Sequence, residues 1–107
     1  MTPATVVTVT WPHIIDAEPG VTRNPLALAV ADAMPRAERI VAGARTLYLT
    51  EDGERREYRW PQEAADALDA WFAGFGLEPF SFAIPAEPLF TYRDRPVRAR
   101  AKGGRAA

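Results

Sequence analysis

Residues 45–60 read Arg-Thr-Leu-Tyr-Leu-Thr-Glu-Asp-Gly-Glu-Arg-Arg-Glu-Tyr-Arg-Trp. Two arms, 45–50 and 54–60, flank Glu51-Asp52-Gly53, a sequence suited to a tight antiparallel connection because aspartate and glycine tolerate left-handed backbone. In the second arm a period of two places Arg56, Tyr58 and Trp60 on one face and Arg55, Glu57 and Arg59 on the other. One face packs and the other is solvated, so this hairpin anchors an antiparallel sheet.

Toward the N-terminus, residues 38–42 (Glu-Arg-Ile-Val-Ala) read as a short strand leading into Gly43. Before it, Asn24-Pro25 is a helix start, since asparagine caps free amide groups and proline fits the first helical position. The helix spans 26–34 and is ended by Pro35. Its Leu26, Leu28, Ala29, Val30, Ala33 and Met34 leave almost no polar face, which predicts a buried helix. Residues 13–23 contain Pro19-Gly20 and read as a loop. Residues 5–11 alternate Val7, Val9 and Trp11 against Thr8 and Thr10, a strand stopped by Pro12.

Toward the C-terminus, Pro61 opens a second helix. Leu68, Trp71, Phe72 and Phe75 recur at helical spacing, Glu63, Asp66 and Asp69 occupy a different face, and Gly74 and Gly76 end the helix. Trp71 and Phe72 are expected in the core. Residues 79–84 alternate Phe80, Phe82 and Ile84 and form a strand closed by Pro85. Residues 86–92 extend along the sheet, with Pro88 excluding a central position. The fold class that follows is α+β: a small mixed or antiparallel sheet of four to five strands with two helices packed on one face.

The chain has 107 residues, which allows one domain and a tail. No apolar run approaches the roughly 18 residues that cross a bilayer, and the N-terminus lacks a signal-peptide pattern. A soluble, cytoplasmic protein is expected. The absence of cysteine excludes disulfides, thiolate metal sites and a cysteine nucleophile. The chain holds one serine, Ser81, and one histidine, His13, and neither sits in a nucleophile-elbow sequence. Carboxylates are the remaining metal ligands, suiting magnesium or calcium better than zinc. Asp16, Asp66 and Asp69 would have to serve a metal-dependent enzyme. Neither a Walker loop, a dinucleotide fingerprint nor an EF-hand loop is present. No catalytic residue, metal or cofactor is assigned, and a non-enzymatic protein is expected.

Charge divides the chain. Residues 93–107 hold Arg93, Arg95, Arg98, Arg100, Lys102 and Arg105 against Asp94, a net of +5, which leaves residues 1–92 with a net of −6. The expected organisation is a compact domain over 1–92 and a basic, disordered tail over 93–107, too poor in apolar side chains to offset its ordering entropy.

Three features are candidate sites. Arg55, Arg56, Tyr58, Arg59 and Trp60, with Tyr48, combine the side chains that protein interfaces concentrate, so the leading expectation is a module that occupies the surface of a partner protein. The alternative packs Tyr58 and Trp60 in the core and pairs the arginines with Glu54 and Glu57. Arg93, Arg95, Arg98, Arg100, Lys102 and Arg105 support a second expectation, weak and non-specific association with nucleic acid. His13, with Asp16 and Glu18 nearby, could be oriented for acid–base work, or simply pack a loop. An edge strand beside an aromatic face also makes a homodimer an expectation.

Asn24-Pro25-Leu26-Ala27-Leu28-Ala29, together with Phe72-x-x-Phe75 followed by Pro79-Phe80-x-Phe82, resembles a loose group of small uncharacterised proteins of phage and GC-rich bacterial genomes. In that group a cysteine commonly stands where this chain has Asn24, and an aspartate-containing Phe-Asp-x-Gly stands where it has Ala73-Gly74. The resemblance implies a phage or mobile-element setting and carries no catalytic residue onto this chain.

Overall fold

The computed structural model describes residues 4–93. In chain order the elements are β1 (Thr5–Val9), α1 (Trp11–Asp16), α2 (Pro25–Ala33), β2 (Glu38–Ala42), β3 (Thr46–Glu51), β4 (Glu54–Arg59), α3 (Gln62–Phe72), β5 (Phe80–Ile84) and β6 (Phe90–Arg93). The fold is a mixture of helix and strand, and its strands form two antiparallel sheets rather than one. β1 pairs with β5, and a second sheet runs in the order β2-β3-β4-β6.

The hairpin folds as its residues dictate. Asp52 at φ 55° and Gly53 at φ 77° form a two-residue turn with both positions left-handed, and Glu51 faces Glu54 across it. Leu47 and Leu49 on β3 and Tyr58 on β4 point into the core, while Tyr48, Arg55 and Arg59 point out. On β1 and β5 the same period buries Val7, Val9, Phe82 and Ile84. Trp60, just beyond β4, closes the seam between the sheets: its ring meets Phe82 of β5 edge-on at 5.7 Å, and its Nε1 donates to the Gly43 carbonyl at 2.8 Å. The aromatic bulk fills the gap and the indole N–H is satisfied, as burial of tryptophan requires.

α2 is buried along most of its length, contributing Leu26, Ala29 and Val30 to the core against β1 and β2, while Ala31 and Asp32 near its C-terminus are exposed, an outer face that the composition does not predict. Asn24 caps it, accepting from the Ala27 N–H at 2.9 Å, and donates from Nδ2 to the carbonyls of Gly20 at 3.1 Å and Ala42 at 3.0 Å. This fully buried side chain thereby fastens both the preceding loop and the end of β2 to the helix.

The structure corrects two N-terminal assignments. β1 stops at Val9, and Trp11–Asp16 is a helix rather than the end of a strand and the start of a loop. Thr10 is its cap, Pro12 occupies the first turn, and His13 stands at the third helical position, where a capping box usually carries glutamate or glutamine. Proline ends strands but also suits helix starts. The expectation for α3 is corrected at its C-terminal half: Ala64 and Leu68 are buried, whereas Trp71 is half-buried and Phe72 and Phe75 are exposed. The apolar stripe runs on past the part of the helix that the domain covers. β6 lies at the sheet edge, with Pro88 outside the strand.

Candidate functional site

The structure separates the five hairpin residues expected to act together. Tyr58 and Trp60 are core residues, 4% and 5% exposed, so neither presents a binding surface. Arg56 shares their face and is partly buried beneath it, with Nη1 donating to Glu51 at 2.7 Å and Nη2 to Glu54 at 3.1 Å. Burial disfavours its charge, but the Glu54 carboxylate, the Tyr58 hydroxyl and Glu51 together outweigh that and hold its pKa above the ordinary arginine value. Arg56 is thus an internal ion-pair partner, through Glu51 and Glu54 rather than Glu57. Arg55 and Arg59 remain exposed, and neither forms a hydrogen bond or ion pair among the described residues.

Arg55 and Arg59 lie on the outer face of the four-stranded sheet, and strand register sets their neighbours. One row across the strands is Val41, Tyr48, Glu57 and Phe90; the next is Glu38, Thr50, Arg55 and Tyr92. Phe90 and Tyr92 are about half exposed, with ring centroids 6.2 Å apart and planes 29° from parallel. The result is an open aromatic platform bordered by two free guanidinium groups. Phe90 and Tyr92 were not singled out in the sequence, although Phe90-Thr91-Tyr92 alternates directly after Pro88.

A second aromatic surface lies at the C-terminal end of α3. Trp71 and Phe72 meet edge-on at 5.1 Å, and Phe75 beyond them is 84% exposed. The backbone there is fixed by a Schellman motif. The Phe75 N–H donates to Ala70 at 2.9 Å, the Gly74 N–H donates to Trp71 at 3.0 Å, and Gly74 takes φ 87°. In such motifs the residue in the position of Phe75 commonly folds back on the helix. Here its ring stands in solvent. Asp69 and Glu78, both exposed, precede and follow the aromatic run.

The remaining candidates are occupied by structural roles. His13 Nδ1 accepts from the Thr10 backbone N–H at 3.0 Å and lies 3.1 Å from Thr10 Oγ1, while Nε2 lies 2.5 Å from Asp32 Oδ2. Acceptance at Nδ1 assigns the proton to Nε2, which donates to Asp32. The row of hydroxyl, imidazole and carboxylate looks hydrolytic, but the lone pair that would deprotonate Thr10 is engaged by a backbone amide. The carboxylate is Asp32, not Asp16 or Glu18. A cavity of about 240 Å³, lined by residues of both sheets, has Arg36 and Arg56 in its wall, and each is already paired, with Asp52 and with Glu51 and Glu54. Asp66 accepts from Gln62 at 2.8 Å, and among the described residues no group of three or more acidic or histidine side chains is placed to hold a metal ion. No helix among them is long and apolar enough to cross a membrane. Arg95, Arg98, Arg100, Lys102 and Arg105 lie outside the described residues, and Arg93 is the last residue of β6.

Comparison with protein-family models, curated proteins and solved structures found no match.

Proposed function

We propose that the chain is a small non-enzymatic binding module that occupies the surface of a partner protein, and that the contact is made by the C-terminal end of α3. The observation that carries this reading is Phe75, which stands 84% exposed on backbone held by two capping hydrogen bonds. Ordered exposure of a large apolar ring leaves about 1.5–3 kcal/mol of burial free energy unrealised within the chain, which a partner's pocket would supply. A ring on rigid backbone also loses little freedom on binding. Phe72 and Trp71 widen the contact, and Asp69 and Glu78 suit a pocket rimmed by basic groups. The resemblance carried by the Asn24 and Phe72 segments would set such a protein in a phage or mobile element.

The test is a cross-linked pull-down comparing wild type with Phe75→Glu, alongside thermal melts of both. The reading expects matched melts and loss of a specific partner from the variant; the same partners in both would contradict it. Sedimentation of the purified chain adds the homodimer as an outcome, since concentration-dependent association abolished by Phe75→Glu would identify the partner as a second copy.

A further inference from the structure

We infer that the outer face of the four-stranded sheet is a second, separate binding surface whose ligand is single-stranded nucleic acid. The face presents Tyr48 on β3 and Phe90 and Tyr92 on β6, with Arg55 beside Tyr92 on the intervening β4 and Arg59 farther along that strand. Exposed rings on a sheet are a platform on which unstacked bases can lie, because every base has an aromatic face. Phe90 and Tyr92 are alternate residues of one strand, so they can take successive bases. Arg55 and Arg59 have no partner among the described residues, which leaves both guanidinium groups free for phosphate.

The sequence that follows β6 is strongly basic. β6 ends at Arg93, and residues 94–107 follow with five basic side chains against Asp94. Charge also selects among occupants. A second copy would set Arg55 and Arg59 against the same two arginines, and a neutral peptide would leave them without counter-charge. A polyanion with flat rings answers both the charge and the aromatics. Glu57 lies on the same face between Tyr48 and Phe90 and opposes phosphate, so this ligand predicts the sign of its replacement.

The experiment is fluorescence anisotropy of the full chain with a labelled oligo-deoxythymidylate of about 16 nucleotides, matching the upper site sizes of single-strand binders. Tyr92→Ala is expected to weaken binding about five- to hundredfold, the range of one lost base stack. Tyr92→Leu controls for strand stability, keeping apolar bulk without a stacking face, and should lose most of the same affinity. Arg55→Gln should lower the slope of log affinity against log salt by about 0.7. Glu57→Gln should tighten binding by about two- to fivefold. Absence of binding at low salt would overturn the inference, as would affinity indifferent to Tyr92 and Arg55 and carried by residues 94–107 alone. Equal competition by polyglutamate would also overturn it and point to an acidic protein as the occupant. Phe75→Glu should leave oligonucleotide binding unchanged, so failure at α3 and failure at the sheet register separately.

Discussion

Trp60 and Phe82 meet edge-on in the seam between the two sheets; Trp71 and Phe72 meet edge-on at the end of α3, where Trp71 is half-buried and Phe72 exposed. The ring geometries are close, 5.7 Å and 81° in the seam against 5.1 Å and 71° on the helix. Their surroundings are opposite. Trp60 and Phe82 are 5% and 4% exposed and bridge elements far apart in the chain, whereas Phe72 is 47% exposed and its partner ring is its own neighbour in sequence. An aromatic pair contributes to folding through what it removes from water, not through ring contact alone. The seam pair holds the domain together, and the helix pair is available for something else.

Substitutions can break or sharpen that contrast. Phe82→Ala removes the ring that joins the sheets and should cost about 3–5 kcal/mol in denaturant unfolding; a loss near that of an exposed site would show that the seam is not structural. Gly74→Ala places a side chain at φ 87° where nothing crowds it, so backbone strain alone should cost about 1–2 kcal/mol. Its further consequence should be weaker partner binding, because the turn that fixes Phe75 is loosened. Phe75→Ala should change stability by no more than about 0.5 kcal/mol, the range of a surface substitution. A larger loss would return Phe75 to the core and remove the basis of the proposed contact.

The same contrast shows what the sequence carries. α2 and its Asn24 cap, the Asp52-Gly53 hairpin, the buried faces of β1 and β5 and the glycine ending of α3 were legible, because each is decided by local chemistry: a capping side chain, a left-handed turn, a period of two. Division into two sheets was not, since the pairing of Val7 with Phe82 joins residues 75 positions apart and no local pattern specifies it. α1 was hidden by Pro12, which ends strands and begins helices, and by a capping box built on His13.

The candidate surfaces were read less well than the fold. Periodicity grouped Leu68, Trp71, Phe72 and Phe75 on one helix, whereas α3 ends at Phe72 and Phe75 lies beyond it; nor can periodicity say how far along a helix the covering layer extends, and the cover stops near Leu68. Arg55 and Arg59 were placed on the solvated face of the hairpin, as found. Composition groups Tyr58 and Trp60 with them although alternation puts both on the packed side, and Pro88 marks 90–92 as an edge strand without revealing that Phe90 and Tyr92 share its open face.

The central claim is that the chain works through two distinct surfaces, the aromatic sheet face and the end of α3. The most direct measurement is a backbone amide NMR titration of the labelled full chain with oligo-deoxythymidylate. The account predicts shifts at Tyr48, Arg55, Phe90 and Tyr92, with Trp71, Phe72 and Phe75 unmoved. Shifts confined to residues 94–107, or reaching α3 as strongly as the sheet, would contradict it.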